Sequence, residues 1–155
     1  MVALILAGKV GSNISSEIGS MRITEQIDAM DMMGINSANY LILPKISAST
    51  IFNPLLMLLS FIMGLLGGII IIYLTDIITI GQFVDGLRHS FKSYYIFYSM
   101  TKMAIFSFII TSVSAFYGYF AIGGSLGVGR SSTRAIVVSS VMILVFNLII
   151  TKLML

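Results

Sequence analysis

Cysteine is absent from the 155-residue chain, which excludes disulfides and thiolate chemistry while leaving the compartment open. The single histidine, His89, makes no metal site on its own without cysteines beside it. Charge is also scarce. Charged residues make up 10% of the chain, against about 25% in an ordinary soluble domain, so there are too few polar side chains to cover a water-facing surface. The net charge of +3 is spread too thinly to suggest nucleic acid. Acids are the rarest class: there are six, and none follows Asp85.

What fills the sequence is apolar. The hydrophobic fraction is 57% and the mean hydropathy +1.03. Residues 46–75, 103–129 and 135–151 are uncharged runs. Roughly 20 apolar residues cross a bilayer core as a helix, and in lipid only helices or closed barrels satisfy their own backbone groups. The runs are continuous rather than alternating, so the chain reads as an all-α integral membrane protein. Its expected transmembrane helices are 49–74, 98–118 and 134–154. The start, MVALILAGKVG, has no basic n-region and only a short apolar run before Lys9, unlike a signal peptide. Residues 1–16 read instead as the end of a preceding span, and we expect the chain to lack its natural N-terminal part. Gly64 and Gly68 form a GxxxG pair that would let another helix approach. Residues 76–95 read as a polar connection with an interfacial aromatic fringe, Lys102 as a snorkelling lysine, and residues 118–134 as a glycine-rich turn. Positive charge favours the side holding Lys9, Arg22, Lys45, Arg130 and Arg134 as the cytoplasmic one.

The scarce acids are not scattered. Glu17, Glu25, Asp28 and Asp31, four of the six, fall within fifteen residues around EIGSMRITEQIDAM. Ile23, Ile27 and Met30 follow helical spacing there, the acids line another side, and Gly34 supplies a stop. A helix so charged lies outside the hydrocarbon core. Two readings stand: a solvated surface helix, or a docking helix whose apolar face enters a partner's groove while its charges fix the register.

Two motifs suggest catalysis and lack its context. GGSLG (123–127) matches a nucleophile elbow, but that elbow needs a preceding strand and a later histidine, whereas His89 comes earlier. Gly124–Ser131, GSLGVGRS, approaches a phosphate-binding loop with arginine for lysine, yet it follows an apolar aromatic stretch and no acid remains downstream to hold a metal. The clustered carboxylates have no histidine nearby. No enzyme is expected.

AGKVGSNISSEIGSMRITEQIDAMDMMGINSANYLILPKISA (7–48) resembles the signature stretch of MlaE/YrbE-type permeases, a family with chloroplast relatives, through the run E-x-G-x-M-x-x-T-E-Q-I-D-A-x-x-x-M-G. FYGYFAIGGSLGVGRSSTRAIVVSS (116–140) is similar to the family's second motif, G-Y…G…G-V-G-x-x-T-T-x-x-V-V-x-S. The resemblance covers essentially the whole chain as a single permease domain, 1–155. It implies the membrane subunit of an ABC-type phospholipid transporter, arranged as a homodimer. A separate ABC ATPase would carry ATP and Mg, with no cofactor in this chain. An MCE-domain lipid-binding protein and a small STAS-type regulator are the other implied partners.

By the same resemblance residues 17–34 would be the cytoplasmic coupling helix, with Glu17, Met21, Arg22, Thr24, Glu25, Gln26 and Asp28 shaping the ATPase contact. Tyr119, Gly124, Gly127, Gly129, Arg130 and Thr133 would belong to a second cytoplasmic turn. The membrane would be a bacterial inner membrane or, alternatively, a plastid inner envelope. Lys9 stands where relatives usually carry arginine, Asn147 where an aspartate is common, and Ser132 for the first threonine of the paired T-T. The rival function is a non-transporting scaffold whose polar helix recruits a soluble partner.

Overall fold

The uncharged runs become long helices because nothing in them interrupts the backbone ladder. A computed structural model describes residues 1–75, 79–90 and 92–154, and every regular element among them is helical. In order these are α1 (Val2–Leu6), a π-helical turn (Ala7–Gly11), α2 (Ser12–Ile23), α3 (Gln26–Met32), α4 (Ser37–Thr75), α5 (Ile80–Ser90), α6 (Ser93–Tyr119) and α7 (Gly124–Met154). Three of them, within Ser37–Thr75, Tyr94–Tyr119 and Gly124–Met154, are long and apolar enough to cross a membrane. Part of the expected 76–95 connection, residues 76–78 and 91, lies outside the described residues.

Several boundaries differ from the sequence expectation. α4 starts at Ser37, not 49, and its 39 residues extend about 58 Å, nearly twice a hydrocarbon core of about 30 Å. Pro44 and Pro54 both lie inside it, so neither ends the helix. The 118–134 turn shrinks to Phe120–Gly123, because Gly123 (φ 98°) and Gly124 (φ 67°) supply the left-handed turn and the rest of the segment is helical. Within the expected 76–95 connection the chain forms a strongly amphipathic helix, α5.

The N-terminal elements form one helix. The residues joining α1, the π-turn and α2 all keep right-handed helical dihedrals, so the backbone runs unbroken from Val2 to Ile23. Ala3 and Ala7 pack with Met103, Phe106 and Ile110 of α6. Further along, a Cβ on Gly11 would lie 2.8 Å from Ser114 Oγ, and one on Gly118 would lie 2.7 Å from the Ser15 carbonyl oxygen. The close helix approach falls there, not at the GxxxG pair. Gly64 has nothing within 4 Å of where its Cβ would be, and Gly68 meets only the Phe83 ring of α5, at 3.3 Å.

The bundle is turned inside out relative to a water-soluble one. Ile51, Phe52, Leu55, Leu59 and Ile62 of α4 point outward, while Asn53, Ser107 and Thr111 are buried. Asn53 Nδ2 donates to Ser107 Oγ (2.6 Å), Ser107 Oγ donates to the Ser49 carbonyl (2.7 Å), and the Ser49 and Thr111 hydroxyls lie 2.5 Å apart. Lipid solvates the outward apolar face as well as a core would, so small and hydrogen-bonding residues take the seam between helices. α6 and α7 are clasped at their far ends by Tyr94 OH donating to the Met154 carbonyl (2.8 Å).

Candidate functional site

One end of the bundle gathers the end of α2, all of α3, the start of α4, the end of α6 and the start of α7. The acidic island sits here, and it is not one helix. α2 stops at Ile23; the Thr24 hydroxyl donates back to the Ser20 carbonyl (2.8 Å), and Glu25 adopts φ 60°, ψ 13°. α3 then sets off in a new direction. The expected continuous 17–33 helix is therefore a helix, a corner and a helix. The physical reason is burial. Ile18 and Ile27 are nine residues apart, half a turn out of phase on a straight helix of 3.6 residues per turn, yet both are fully buried in one cluster with Ile14, Leu41 and Ala115.

Polar contacts fix the corner from three sides. Lys45 Nζ of α4 donates to Glu17 Oε2 at 2.6 Å. Arg22 Nη1 donates to Asp28 Oδ1 at 2.5 Å, tying α2 to α3 across the break, and the same guanidinium lies 5.6 Å from the centre of the Tyr119 ring. The Tyr119 hydroxyl is 3.1 Å from Ser37 Oγ, and the Ser37 N–H donates to Asp31 Oδ1 at 3.3 Å. Arg22 thus connects α2, α3 and the end of α6.

The sequence-predicted residues divide into four groups. Glu17, Arg22, Asp28 and Tyr119 are brought together with Lys45 and Ser37. Met21 is half-buried against the Ile18–Ile27 cluster, and Thr24 closes α2, so both shape the corner. Glu25 and Gln26 are exposed at its tip. Just beyond, Met32 and Met33 are 89% and 68% exposed, a soft apolar rim beside the carboxylates. Gly124, Gly127, Gly129, Arg130 and Thr133 belong to the first turns of α7. Arg130 lines a different cavity, with Phe120, Ile122 and Leu126, none of whose walls comes from α2 or α3.

Two participants at the corner were missed in the sequence. Lys45 and Ser37 lie 28 and 82 residues from their partners, beyond any local pattern. The Ser49/Asn53 and Ser107/Thr111 pairs did carry a signal: each repeats at i, i+4 inside an otherwise apolar run. Lys102 donates to Tyr98 OH and Thr151 Oγ1, both at 2.8 Å, and its ammonium stands 4.9 Å from the centre of the Tyr98 ring. The catalytic-looking motifs lack the strand they need: GGSLG and GSLGVGRS open α7 after a helix and a four-residue turn. His89 sits on α5, at the opposite end of the bundle.

The site holds fixed charge, an exposed corner and exposed methionines, which suits docking rather than bond-making. Comparison with known proteins finds relatives over nearly the whole chain. The family model described as Permease MlaE matches residues 1–153. A probable ABC transporter permease protein of Rickettsia bellii is 36% identical over 99% of the chain and 59% of its own length. The intermembrane phospholipid transport system permease protein MlaE of Haemophilus influenzae is 30% identical over 99% and 59%. Protein TRIGALACTOSYLDIACYLGLYCEROL 1, chloroplastic, of Arabidopsis thaliana is 30% identical over 98% and 43%. The chain thus spans about 59% of the length of the two bacterial relatives.

Proposed function

The chain belongs to the MlaE permease family, and from that premise we propose that it acts as the membrane subunit of an ABC-type transporter moving phospholipid or a related lipid. The name of the Haemophilus influenzae relative, an intermembrane phospholipid transport system permease protein, supports the substrate class. In this reading ATP is hydrolysed in a separate subunit that grips the corner between α2 and α3, and an MCE-domain protein exchanges lipid with the permease. The permease works as a homodimer in the inner membrane of a bacterium or the inner envelope of a plastid.

The observation that carries the proposal is the corner itself. Glu25 is exposed at its tip, Arg22 and Asp28 tie its two limbs, and Met32 and Met33 offer apolar contact beside it. An amphipathic helix set between charges is a common way to enter a partner's groove. The Lys45–Glu17 and Arg22–Tyr119 contacts join this corner to α4 and α6. A push on α3 would therefore reach two membrane helices through packed, hydrogen-bonded groups. Nucleotide state can drive such a machine only if it favours one permease conformation over another.

The test is reconstitution of the permease with its co-purifying ATPase in phospholipid vesicles. Replacing Glu25 and Asp28 by lysine should leave insertion intact and abolish both ATPase stimulation and lipid transfer. Unchanged stimulation and transfer in that variant would overturn the assignment of the corner. The scaffold alternative predicts partner binding with no ATP-linked lipid movement in the unmodified protein.

A further inference from the structure

Arg130 and Arg134 differ from the other cations at this end of the bundle. Arg22 and Lys45 are each paired with a carboxylate, but neither Arg130 nor Arg134 has one within 4 Å among the described residues. Both are exposed, one helical turn apart on α7. Together with Phe120, Ile122 and Leu126 they line a cavity of about 300 Å³ between the α6–α7 turn and the first turns of α7. Two like charges four residues apart repel, and an anion between them would relieve that repulsion.

The position of the pair on its helix says which anion. Leu126, Arg130, Arg134, Val137, Val141 and Leu144 follow one stripe at helical spacing, and all of them are exposed. The apolar part of that stripe runs down the transmembrane length of α7, on the side away from Ser132, Ala135 and Ser139, which are buried. The guanidiniums thus stand at the polar end of an exposed apolar stripe on a helix long and apolar enough to cross a membrane. Ile122 and Leu126, 87% and 68% exposed, lie on the turn side of the pair, and Val137, Val141 and Leu144 lie on its other side.

We propose that Arg130 and Arg134 form a headgroup site for an anionic phospholipid, with the lipid's phosphate between the guanidiniums and its acyl chains along Val137, Val141 and Leu144. This lipid is a bound companion on the outer face of α7, distinct from any cargo. Arginine forks suit phosphate oxygens, and basic residues at a membrane surface recruit anionic lipid additively. The acidic corner on α2 and α3 repels the same lipid, so the two charge groups divide this end of the bundle between membrane and soluble partner.

The test is lipid retention by the purified chain in mild detergent, titrated with dioleoyl phosphatidylglycerol or with dioleoyl phosphatidylcholine and read by native mass spectrometry. The unmodified chain should prefer phosphatidylglycerol, and R130Q/R134Q should lose that preference by roughly thirtyfold, the product of two basic residues at a lipid surface. R130K/R134K, which keeps the charge, should retain most of it and serves as the control for folding. Equal preference in the glutamine variant overturns the site, as does an equal loss in the lysine variant. Displacement of phosphatidylglycerol by inorganic phosphate would also overturn it, by showing a soluble-anion site. Loss of the co-purifying ATPase from R130Q/R134Q with lipid preference intact would assign the pair to a protein contact instead.

Discussion

Ile18 and Ile27 are both fully buried in the same apolar cluster although nine residues separate them, and that is possible only because the chain turns at Glu25 between them. Glu25 is the one non-glycine residue with positive φ among those described. A left-handed residue with a Cβ costs roughly 1–2 kcal/mol, so a glutamate is retained there against its backbone preference. Strained non-glycine positions of this kind cluster where a side chain is needed.

Two substitutions separate the backbone from the charge. Glu25→Gly relieves the left-handed strain and deletes the carboxylate. It should leave thermal stability equal or higher, by up to about 1 kcal/mol, while lowering ATPase stimulation. Glu25→Lys keeps the strain and reverses the charge, and its stimulation should fall further. Thermal unfolding in detergent and ATPase rates with the co-purifying ATPase check both. A Glu25→Gly protein that is markedly less stable would mean the side chain holds the corner together rather than meeting a partner.

The seam between α2 and α6 depends on Gly118. A Cβ there would meet the Ser15 carbonyl oxygen at 2.7 Å and the Cα of Ser15 at 3.1 Å, and backbone atoms cannot rotate away as a flexible side chain can. Gly118→Ala should force the helices apart at a cost of about 1–3 kcal/mol, and Gly118→Val should cost more. Gly64→Ala is the matched control, since nothing lies within 4 Å of the added methyl, and it should be neutral or slightly stabilising. Thermal unfolding of the three variants orders them. Equal behaviour of Gly118→Ala and Gly64→Ala would refute the close approach.

The three membrane-length helices were legible in the sequence because charge is excluded from hydrocarbon, so uncharged runs mark them directly. Their ends were harder to read. Ser37–Ala48 and Gly124–Arg134 are polar or glycine-rich, which suggests loops, yet both are helical: the first runs on through Pro44 instead of stopping at it, and the second packs Val128 and Ser132 inward. The acidic island was visible from composition alone. The corner was not, because Thr24 and Glu25 are ordinary helix residues by propensity. Only the phase mismatch of Ile18 and Ile27 betrayed it, and that requires knowing both are buried.

The buried hydroxyl and amide groups between α4 and α6 invite a double-mutant cycle. Ser107→Ala removes the acceptor for Asn53 Nδ2 and the donor to the Ser49 carbonyl together. Asn53→Ala removes only the first. Interhelical hydrogen bonds in membranes average about 0.6 kcal/mol and reach about 1.7, so Asn53→Ala should sit in that range and Ser107→Ala at or above its upper end. The double variant should cost less than the two single changes added together, because their shared bond is lost once. Additive costs measured by unfolding in detergent would show that the two side chains act independently.

Lys102 offers the sharpest sign test. Its ammonium is held by two hydroxyls, Tyr98 OH and Thr151 Oγ1, and by the Tyr98 ring, with no carboxylate in reach among the described residues. Placing a lysine at the centre of a membrane helix costs about 2.5–3.5 kcal/mol on insertion scales, so these contacts offset a cost rather than create a surplus. Lys102→Met, which keeps the aliphatic stem and drops the charge, should therefore be neutral or stabilising. Thr151→Val leaves the ammonium with one hydroxyl fewer and should destabilise by about 1–3 kcal/mol. Combining the two should recover most of that loss, since the uncompensated charge has gone. Thermal unfolding of the three variants in one detergent decides it. A Lys102→Met protein weaker than Thr151→Val would mean that the lysine itself clasps α6 to α7.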